Sequence, residues 1–256
     1  MDKYPTTVSR RLIRLLQRLP QTTLNSFRFR APFILPRWFK MPSHVRICGK
    51  TLQLHFPDEE DVASDFIECF LLNAYGLGNQ LGEIRSIIDI GANVGFFALA
   101  ARHHYPRAAI HAYEPNPRVL ADLALNTEAF NIFVFPEAVG SEECAIKILD
   151  EGPSNQARAR RDPSGQSTIN QIAVATAIAR LNGNVDLLKL DCEGAEWEIL
   201  ETEGCWDKVR HIRMEIHFFN GQTIEQARAA MKRIEFKIIR EEIKNDEMAV
   251  VWARKA

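Results

Sequence analysis

The sequence lacks the cysteine pattern of a disulfide-stabilised secreted domain and the long apolar run of a membrane-spanning one. Among its 256 residues there is no Cys-x-x-Cys pair and no Asn-x-Ser/Thr acceptor, and its five cysteines are scattered. An odd, unpatterned set of cysteines is typical of free thiols in a reducing compartment. No apolar run approaches the roughly 20 residues of a membrane span, and the N-terminus has no continuous apolar core of a signal peptide. We therefore expect a cytoplasmic location.

Acidic residues are scarce in the first 46 positions, which hold ten lysines and arginines and one acid, Asp2. Residues 8–19 place apolar side chains at helical spacing opposite arginines, which predicts a short amphipathic helix. It either packs on the body of the protein or contacts an anionic membrane, which would place the protein at the inner membrane face. Residues 20–46 are predicted to be irregular.

A basic arm also permits contact with nucleic acid. Because it lacks the interleaved aromatic residues of a stacking platform, we do not expect a nucleic-acid partner. The sequence sets no oligomeric state.

The chain divides by pattern into a basic arm (1–45), a β-hairpin and helix (46–80) and a larger domain (81–256). In the last part, strand patterns alternate with helical ones, which indicates a mainly parallel sheet with helices on both faces. Two C-terminal strands add an antiparallel edge hairpin. Residues 150–166 are predicted as a loop and residues 169–181 as a helix. The predicted fold class is α/β and Rossmann-like.

The strongest local signal is IDIGANVG at residues 88–95, where the first strand of this domain turns into its first helix. In such sheets, ligands bind beside this turn, beyond the carboxyl ends of the strands. Gly91 permits a sharp turn, Asn93 tolerates a left-handed backbone, and Gly95 permits close approach. Asp89 is expected to place a carboxylate at the mouth of the loop.

Two classes of ligand use such a turn. The dinucleotide pattern G-x-G-x-x-G would need glycines where this chain has Asn93 and Phe96. An acid before the turn would also repel a pyrophosphate, whereas it suits the ammonium group of a ligand such as S-adenosylmethionine. The pattern favours this methyl donor, and a nicotinamide-dependent oxidoreductase is the alternative.

A second signal is Glu114, which closes the next strand 19 residues after Gly95. An acid at this place can accept hydrogen bonds from both hydroxyls of a ribose. The other interpretation is a surface glutamate before a helix that begins with proline. The preceding loop favours ribose binding.

The third signal is VDLLKLDCEGAE at residues 185–196, in which an apolar strand runs directly into acids. Asp191 and Glu193 follow the carboxyl end of the strand and are expected to face the cleft. Gly194 permits the turn. Glu196 is assigned to the first turn of the next helix, where a negative charge is favourable.

Together these segments resemble the FkbM family of S-adenosylmethionine-dependent methyltransferases, over about residues 84–217. The resemblance is carried by IDIGANVGFFALAA, AYEPNPRVLADLALN, EAVG, VDLLKLDCEGAEWEIL and RMEIH. Cys192 stands where the family usually has a β-branched residue. The resemblance implies a class I methyltransferase fold, S-adenosylmethionine as cofactor, and methylation of a hydroxyl on a sugar, glycolipid or secondary metabolite.

The resemblance also assigns roles to residues. The cofactor-binding set that it implies is Asp89, Gly91, Ala92, Asn93 and Gly95 in the donor loop, Glu114, Pro115 and Asn116 at the ribose, Glu137 and Ala138 at the adenine, and Asp191 at the junction of donor and acceptor.

An alcohol is a poor nucleophile, so a base near its proton helps methyl transfer. The candidates are Asp191, Glu193, Glu215 and His217. Glu215 and His217 share one face of a strand end because they alternate with Ile216. We expect His217 to be the base, since its intrinsic pKa lies near neutral pH; a structural histidine is the other interpretation. These groups could also hold a divalent cation, but no ligand spacing such as H-x-x-x-H supports one, and no metal is predicted.

The segment 150–166 carries Arg158, Arg160 and Arg161. It is either a solvated connection or a lid that grips an acidic sugar or phosphate, because long loops in compact domains are often functional.

Overall fold

The structure, a computed structural model, describes residues 21–32, 39–59, 61–78, 81–149 and 152–256. The amphipathic helix predicted at residues 8–19 lies outside the described residues. Residues 21–29 are helical (α1), where the sequence predicted irregular chain. The helix buries Asn25, and the Asn25 amide donates to the Leu71 carbonyl oxygen at 3.0 Å, a tertiary contact that local sequence does not reveal. None of the described helices has the length and apolar character to cross a bilayer.

The described residues form thirteen strands, numbered here in chain order. They are β1 His44–Ile47, β2 Lys50–Gln53, β3 Ser86–Ile90, β4 Ala109–Tyr113, β5 Ile132–Phe135, β6 Ala138–Gly140, β7 Cys144–Leu149, β8 Arg158–Arg161, β9 Ile169–Ala173, β10 Val185–Leu190, β11 Val209–His217, β12 Phe236–Asn245 and β13 Met248–Lys255.

Six further α-helices follow α1 in the part of the chain that the structure describes. They are α2 Asp61–Phe66, extended by a π-helical turn at Ile67–Leu71, α3 Phe96–His104, α4 Leu120–Thr127, α5 Val174–Ala179, α6 Glu196–Glu201 and α7 Ile224–Arg233.

The main sheet has seven strands in the order β12-β13-β11-β10-β3-β4-β5. Strands β11, β10, β3, β4 and β5 are parallel, and β13 lies antiparallel between β11 and β12. This confirms the predicted Rossmann-like α/β sheet with an antiparallel C-terminal hairpin. Since the chain moves from β3 to β4 on one side and later returns to β10 on the other, the strand order reverses between β3 and β10. Ligands of such sheets bind outside the strand ends at this reversal.

Both faces of the sheet are covered, as predicted. Ile87 joins a core cluster that also contains residues of α2, α3 and α4, whereas its neighbour Ile88 joins a second cluster with residues of α5, α6 and α7. Successive side chains of a strand point to opposite faces, so each apolar strand residue finds a core on one side or the other. Burying each such side chain contributes about 1.5–3 kcal/mol.

A second, four-stranded sheet has the order β6-β9-β7-β8 and corrects two predictions. The segment predicted as a loop contains β8, which pairs antiparallel with β7. Its sequence RARR has no apolar pattern, so only backbone pairing defines it. The helix predicted at residues 169–181 begins instead at Val174, after the strand β9. Strand β9 pairs with both β6 and β7, and this pairing overrides the helical spacing of its apolar residues.

The segment after α2 is held against the main sheet by two buried side chains, one from β13 and one from β11. The Trp252 indole donates to the Ala74 carbonyl oxygen at 3.0 Å, and the Arg213 guanidinium donates to the Tyr75 carbonyl oxygen at 2.8 Å. Gly76 has a φ of +63°, and a Cβ placed there would lie 2.4 Å from the Trp252 ring. This close packing fixes the position of Tyr75, which faces the end of β10.

Replacing Gly76 with alanine should therefore destabilise the protein more than replacing Gly49. Gly49 also has a positive φ, +83°, but a Cβ there would meet nothing within 4 Å. Both changes carry the left-handed cost of about 1–2 kcal/mol, and Gly76→Ala adds an overpacking cost of about 1–3 kcal/mol. Urea unfolding of both variants measures the difference, and equal losses would show that Trp252 does not restrict this position.

Candidate active site

The loop after β3 passes tightly over the end of β10. Gly91 has a φ of +74°, and a Cβ placed there would lie 1.7 Å from the Asp191 carbonyl oxygen, so only glycine fits. The backbone N–H groups of Gly91 and Ala92 both donate to the Tyr113 carbonyl oxygen, at 3.1 and 3.0 Å. Asn93 adopts a φ of +47°, which asparagine tolerates better than most residues. We refer to residues 89–95 as the donor loop.

Glu114 fastens the donor loop to the end of β4. One carboxylate oxygen accepts from the Asn93 backbone N–H and the other from the Asn116 backbone N–H, both at 2.8 Å. Burial raises the pKa of Glu114 to about 7, despite these two donors. Each carboxylate oxygen has two acceptor positions, so Glu114 can still accept from a ligand in the cavity that it lines.

Asp89 is not at the mouth of the loop, where the sequence analysis placed it. It is fully buried, and one of its carboxylate oxygens lies 3.2 Å from the Lys189 ammonium. Burial raises the pKa of Asp89 to about 6, against the opposing attraction of Lys189. The carboxylate therefore serves a buried ion pair beneath the loop.

Lys189 was missed in the sequence analysis, although it lies in the quoted motif. Its ammonium donates to the Gly91 and Ile90 carbonyl oxygens at 2.5 and 3.4 Å and lies 3.4 Å from Asp191. Burial alone would lower the pKa of Lys189, but Asp89 and Asp191 outweigh it and raise that pKa. A charged residue inside an apolar strand, flanked by acids on both sides, is the signal that could have revealed it.

Asp191 stands where the donor loop meets the end of β10. One of its carboxylate oxygens accepts from the Tyr75 hydroxyl at 2.9 Å and also faces Lys189. These contacts fix the side chain while leaving it about one-quarter exposed in the cavity. Its predicted place at the junction is consistent with this geometry.

The turn between β10 and α6 presents Glu193 to the cavity. Glu193 has a φ of +54°, a conformation that costs a non-glycine residue free energy and persists only when its surroundings enforce it. Glu196 enforces it: this fully buried carboxylate accepts from the Cys192 and Gly194 backbone N–H groups at 2.7 and 3.0 Å. Glu196 thus organises the turn from within, rather than only serving the first turn of α6.

His217 lies behind the cavity wall among three glutamates. Its Nδ1 is 3.4 Å from Glu196, and its Nε2 is 3.6 Å from Glu193 and 3.7 Å from Glu215. Burial alone would lower the pKa of His217, but the hydrogen bond to Glu196 and the charges of Glu196 and Glu193 raise it to about 9. An imidazolium has no free lone pair, so this environment does not favour the predicted role of His217 as the base.

Glu193, in contrast to His217, lines the cavity and has a pKa near neutrality. Burial is the main cause that raises the pKa of Glu193 to about 7, with Asp191 and Glu196 adding to it and His217 opposing it. Its side chain is about 15% exposed and lines the cavity. Glu215 also lines the cavity, and burial together with Asp191 raises its pKa well above the usual range.

These elements surround a cavity that is open to solvent. It brings together most of the predicted site residues. Those lining it are Gly91, Ala92, Asn93, Glu114, Pro115, Glu137, Ala138, Asp191, Glu193 and Glu215. Asp89, Gly95, Asn116 and His217 do not line it.

Helix α2 adds two carboxylates that no motif predicted. Asp65 accepts from the Asn93 side-chain amide at 3.1 Å, and Glu68 pairs with Lys244 at 3.1 Å. Burial, followed by repulsion from Asp191, raises the pKa of Asp65 to about 7. In the sequence, Asp65 is only an acidic residue near the apolar Val62 and Phe66 of a predicted helix, and no motif marks it.

The three arginines of the β7–β8 hairpin do not gather in the cavity. Arg158 stacks on the Phe219 ring at 3.5 Å, Arg161 pairs with Glu142, and Arg160 is exposed. The cavity is lined instead by Ala157 and Ala159 and by Ser154 and Asn155.

Asp191, Glu215 and His217 each offer one ligand atom within 4.8 Å of the others. This spacing would suit a divalent cation. Since His217 is already engaged by three glutamates, we assign no metal here.

Comparison with known proteins identifies the family. The profile described as the Methyltransferase FkbM domain matches residues 89–245, more than half of the chain. The chain belongs to the FkbM methyltransferase family. The resemblance found in the sequence is thereby confirmed, together with S-adenosylmethionine as the methyl donor.

Three curated relatives of this FkbM methyltransferase are similar at low identity. Methyltransferase 1 of Beauveria bassiana is 26% identical over 51% of this chain and 64% of its own length, so this chain spans under two thirds of it. Methyltransferase sdnD of Sordaria araneosa is 27% identical over 73% and 88% of the two chains. The 31-O-demethyl-FK506 methyltransferase FkbM of Streptomyces tacrolimicus is 24% identical over 60% and 72%.

The residues present fit S-adenosylmethionine. The cradle at Gly91 has no room for a Cβ, and Glu114 retains acceptor positions for a ribose. Many carboxylates line the cavity, and Lys189 lines it as well. Such a lining favours a cationic sulfonium ligand and disfavours a pyrophosphate, which argues against the nicotinamide alternative.

The buried pair of Asp89 and Lys189 should matter for stability. We expect Asp89→Asn to lower the free energy of unfolding by about 3 kcal/mol, since it leaves a buried ammonium with one carboxylate fewer. The matched control is Glu83→Gln, which breaks an ion pair with Arg85 in which both side chains are more than 70% exposed and should cost about 0–1 kcal/mol. Urea denaturation measures both. A loss for Asp89→Asn no larger than that of the control would contradict the structural role.

Proposed function

We propose that this FkbM methyltransferase transfers the methyl group to a hydroxyl oxygen of a small molecule, such as a sugar, glycolipid or secondary metabolite. The observation that carries the proposal is Glu193, held by Glu196 in a left-handed turn so that its carboxylate faces the cavity beside Asp191. A positioned carboxylate with a pKa near neutrality is suited to take a proton from a hydroxyl. The relative named 31-O-demethyl-FK506 methyltransferase is consistent with an oxygen acceptor.

In this proposal the donor loop would hold the donor, and Glu114 would hold its ribose. When bound, S-adenosylmethionine supplies a methyl group on a positively charged sulfur. Glu114 would accept hydrogen bonds from the ribose, and Asp191 would fix the region where donor and acceptor meet. Positioning of the two reactants accounts for a large share of the catalysis.

Glu193 acts as the general base on the acceptor. Its ionised form predominates above a pH of about 7, where His217, with a pKa of about 9, is still protonated. His217 is therefore a positioning residue: its charge stabilises the Glu193 carboxylate, and it does not take the proton itself. Glu193 and Glu215, facing one cavity, also offer acceptors for neighbouring hydroxyls, which favours a polyhydroxylated substrate.

The decisive experiment is transfer of a labelled methyl group from S-adenosylmethionine into a panel of sugars, glycolipids and hydroxylated secondary metabolites. A matching panel contains amines and carboxylic acids. Mass spectrometry and NMR of the product should identify a methyl ether. Exclusive formation of an N-methyl or ester product would refute hydroxyl methylation.

We expect Glu193→Gln to lower kcat by about 10²–10⁴-fold, the usual contribution of a general base. Because the pKa of Glu193 is raised to about 7, the wild-type rate should fall as the pH falls through 7, and the variant should lose this dependence. Donor affinity should stay within a factor of two to three, by calorimetry. Glu203→Gln, an exposed glutamate beyond α6, is the control. A variant that keeps the wild-type pH profile would exclude Glu193 as the base.

A further inference from the structure

One arginine of the β7–β8 hairpin lies at the rim of the cavity. Arg158 begins β8 between Ala157 and Ala159, which both line the cavity, and Arg158 itself is exposed. Burial is the main cause that raises the pKa of Glu193, and the charges of His217 and Arg158 oppose the rise. The Arg158 guanidinium is therefore near enough to act on the carboxylate that faces the cavity.

A stack of side chains fixes the position of this guanidinium. The Arg158 Cζ lies 3.5 Å from the centre of the Phe219 ring. The Phe219 ring in turn stacks on His217, with 5.0 Å between the ring centres and 21° between the planes. A Cβ placed at Gly194 would lie 3.3 Å from the same ring, so Phe219 also packs against the turn that carries Glu193. The stack thus joins the hairpin to the part of the cavity wall formed by this turn.

The stack covers a face of the guanidinium and leaves its edge open. A guanidinium has five N–H donors in one plane and no acceptor. Among the described residues, the Arg158 side chain makes no hydrogen bond or ion pair, whereas Arg161 of the same hairpin pairs with Glu142. An arginine held flat on an aromatic ring is well suited to bind a carboxylate or a phosphate through two parallel hydrogen bonds.

The charge of the cavity restricts where an anionic group of a ligand can bind. Lys189 is enclosed between Asp89 and Asp191 and is therefore already neutralised. An anion placed farther inside would be repelled by neighbouring carboxylates, whereas at the rim it meets the unpaired donors of Arg158. The carboxylate residues that line the cavity are Asp65, Glu68, Glu114, Glu137, Asp191, Glu193 and Glu215.

We propose that Arg158 binds an anionic group of the acceptor, a carboxylate or a phosphate, and so selects hydroxylated substrates that carry one. The inference rests on the proposed function, since it requires the hydroxyl of the same molecule to reach Glu193. Of the three arginines that the sequence suggested for a lid, Arg161 is paired, and Arg160 has no aromatic ring beneath it in the part of the chain that the structure describes. Arg158 is therefore the arginine that determines specificity.

The test offers matched pairs of acceptors in the labelled-methyl assay: a uronic acid with its methyl ester, and a sugar phosphate with the free sugar. For the wild type, kcat/KM should be at least about 10-fold higher for the anionic member, as expected for charge-assisted hydrogen bonds. In Arg158→Ala this preference should fall below threefold, with most of the loss in KM. Arg158→Lys keeps the charge but lacks the planar fork, so it should retain only part of the preference. The two pairs show whether a carboxylate or a phosphate is bound.

Arg160→Ala is the matched control, because this exposed side chain belongs to the same hairpin. It should keep the wild-type preference, and thermal unfolding should show that every variant is folded. Equal losses for the anionic and neutral members in Arg158→Ala would show that the stack only holds the hairpin, and would overturn the anion site. Transfer to hydroxyls by the wild type without a preference for the anionic members would overturn the anion site alone. Absence of transfer to any hydroxyl would instead overturn the proposed function, and the anion site with it.

Discussion

The site depends on a lysine buried at the centre of the sheet. Lys189 lies between Asp89 and Asp191 and donates to the carbonyl oxygens of Ile90 and Gly91. One ammonium therefore joins the two strands at the reversal of strand order, shapes the donor loop and orients the acid beside the reacting centre. An ion pair of this kind adds little net stability over an apolar core, but losing one partner is costly. Its value lies in the geometry that it fixes.

The acids near this lysine have two kinds of role: some hold the backbone in place, and others line the cavity. Asp89 and Glu196 are fully buried and hold backbone in place, the first through Lys189 and the second through two N–H groups. Asp191 and Glu193 instead reach the cavity. The end of β10 and the left-handed turn at Glu193 direct these side chains differently. Acids of one motif can therefore either support the backbone or line the cavity.

The sequence was sufficient for the parts of the molecule that local pattern encodes. The donor loop, Glu114 and the acidic turn after β10 were found because glycine, asparagine and proline mark their turns and apolar runs mark their strands. Asp65, Tyr75 and Asn155 were not found, because each comes from an element without a motif and reaches the cavity only through tertiary packing. Asp89 and His217 were placed correctly on their strands, but their burial, which decides what they can do, depends on side chains distant in the chain. Strand β8 was not predicted, because backbone pairing and not a pattern of apolar side chains defines it.

The pairing of β3 with β10 also bears on how the chain reaches its native state. Ile88 lies opposite Leu188 in the sheet, so the central contact closes a loop of about 100 residues, and contacts so distant in sequence slow folding. Asp89 and Lys189 must leave water in that same step. We therefore expect the docking of these two strands to come late, after the β3–β4–β5 and β11–β13–β12 units have formed, with the rate-limiting barrier at the closing of the sheet around its buried charge.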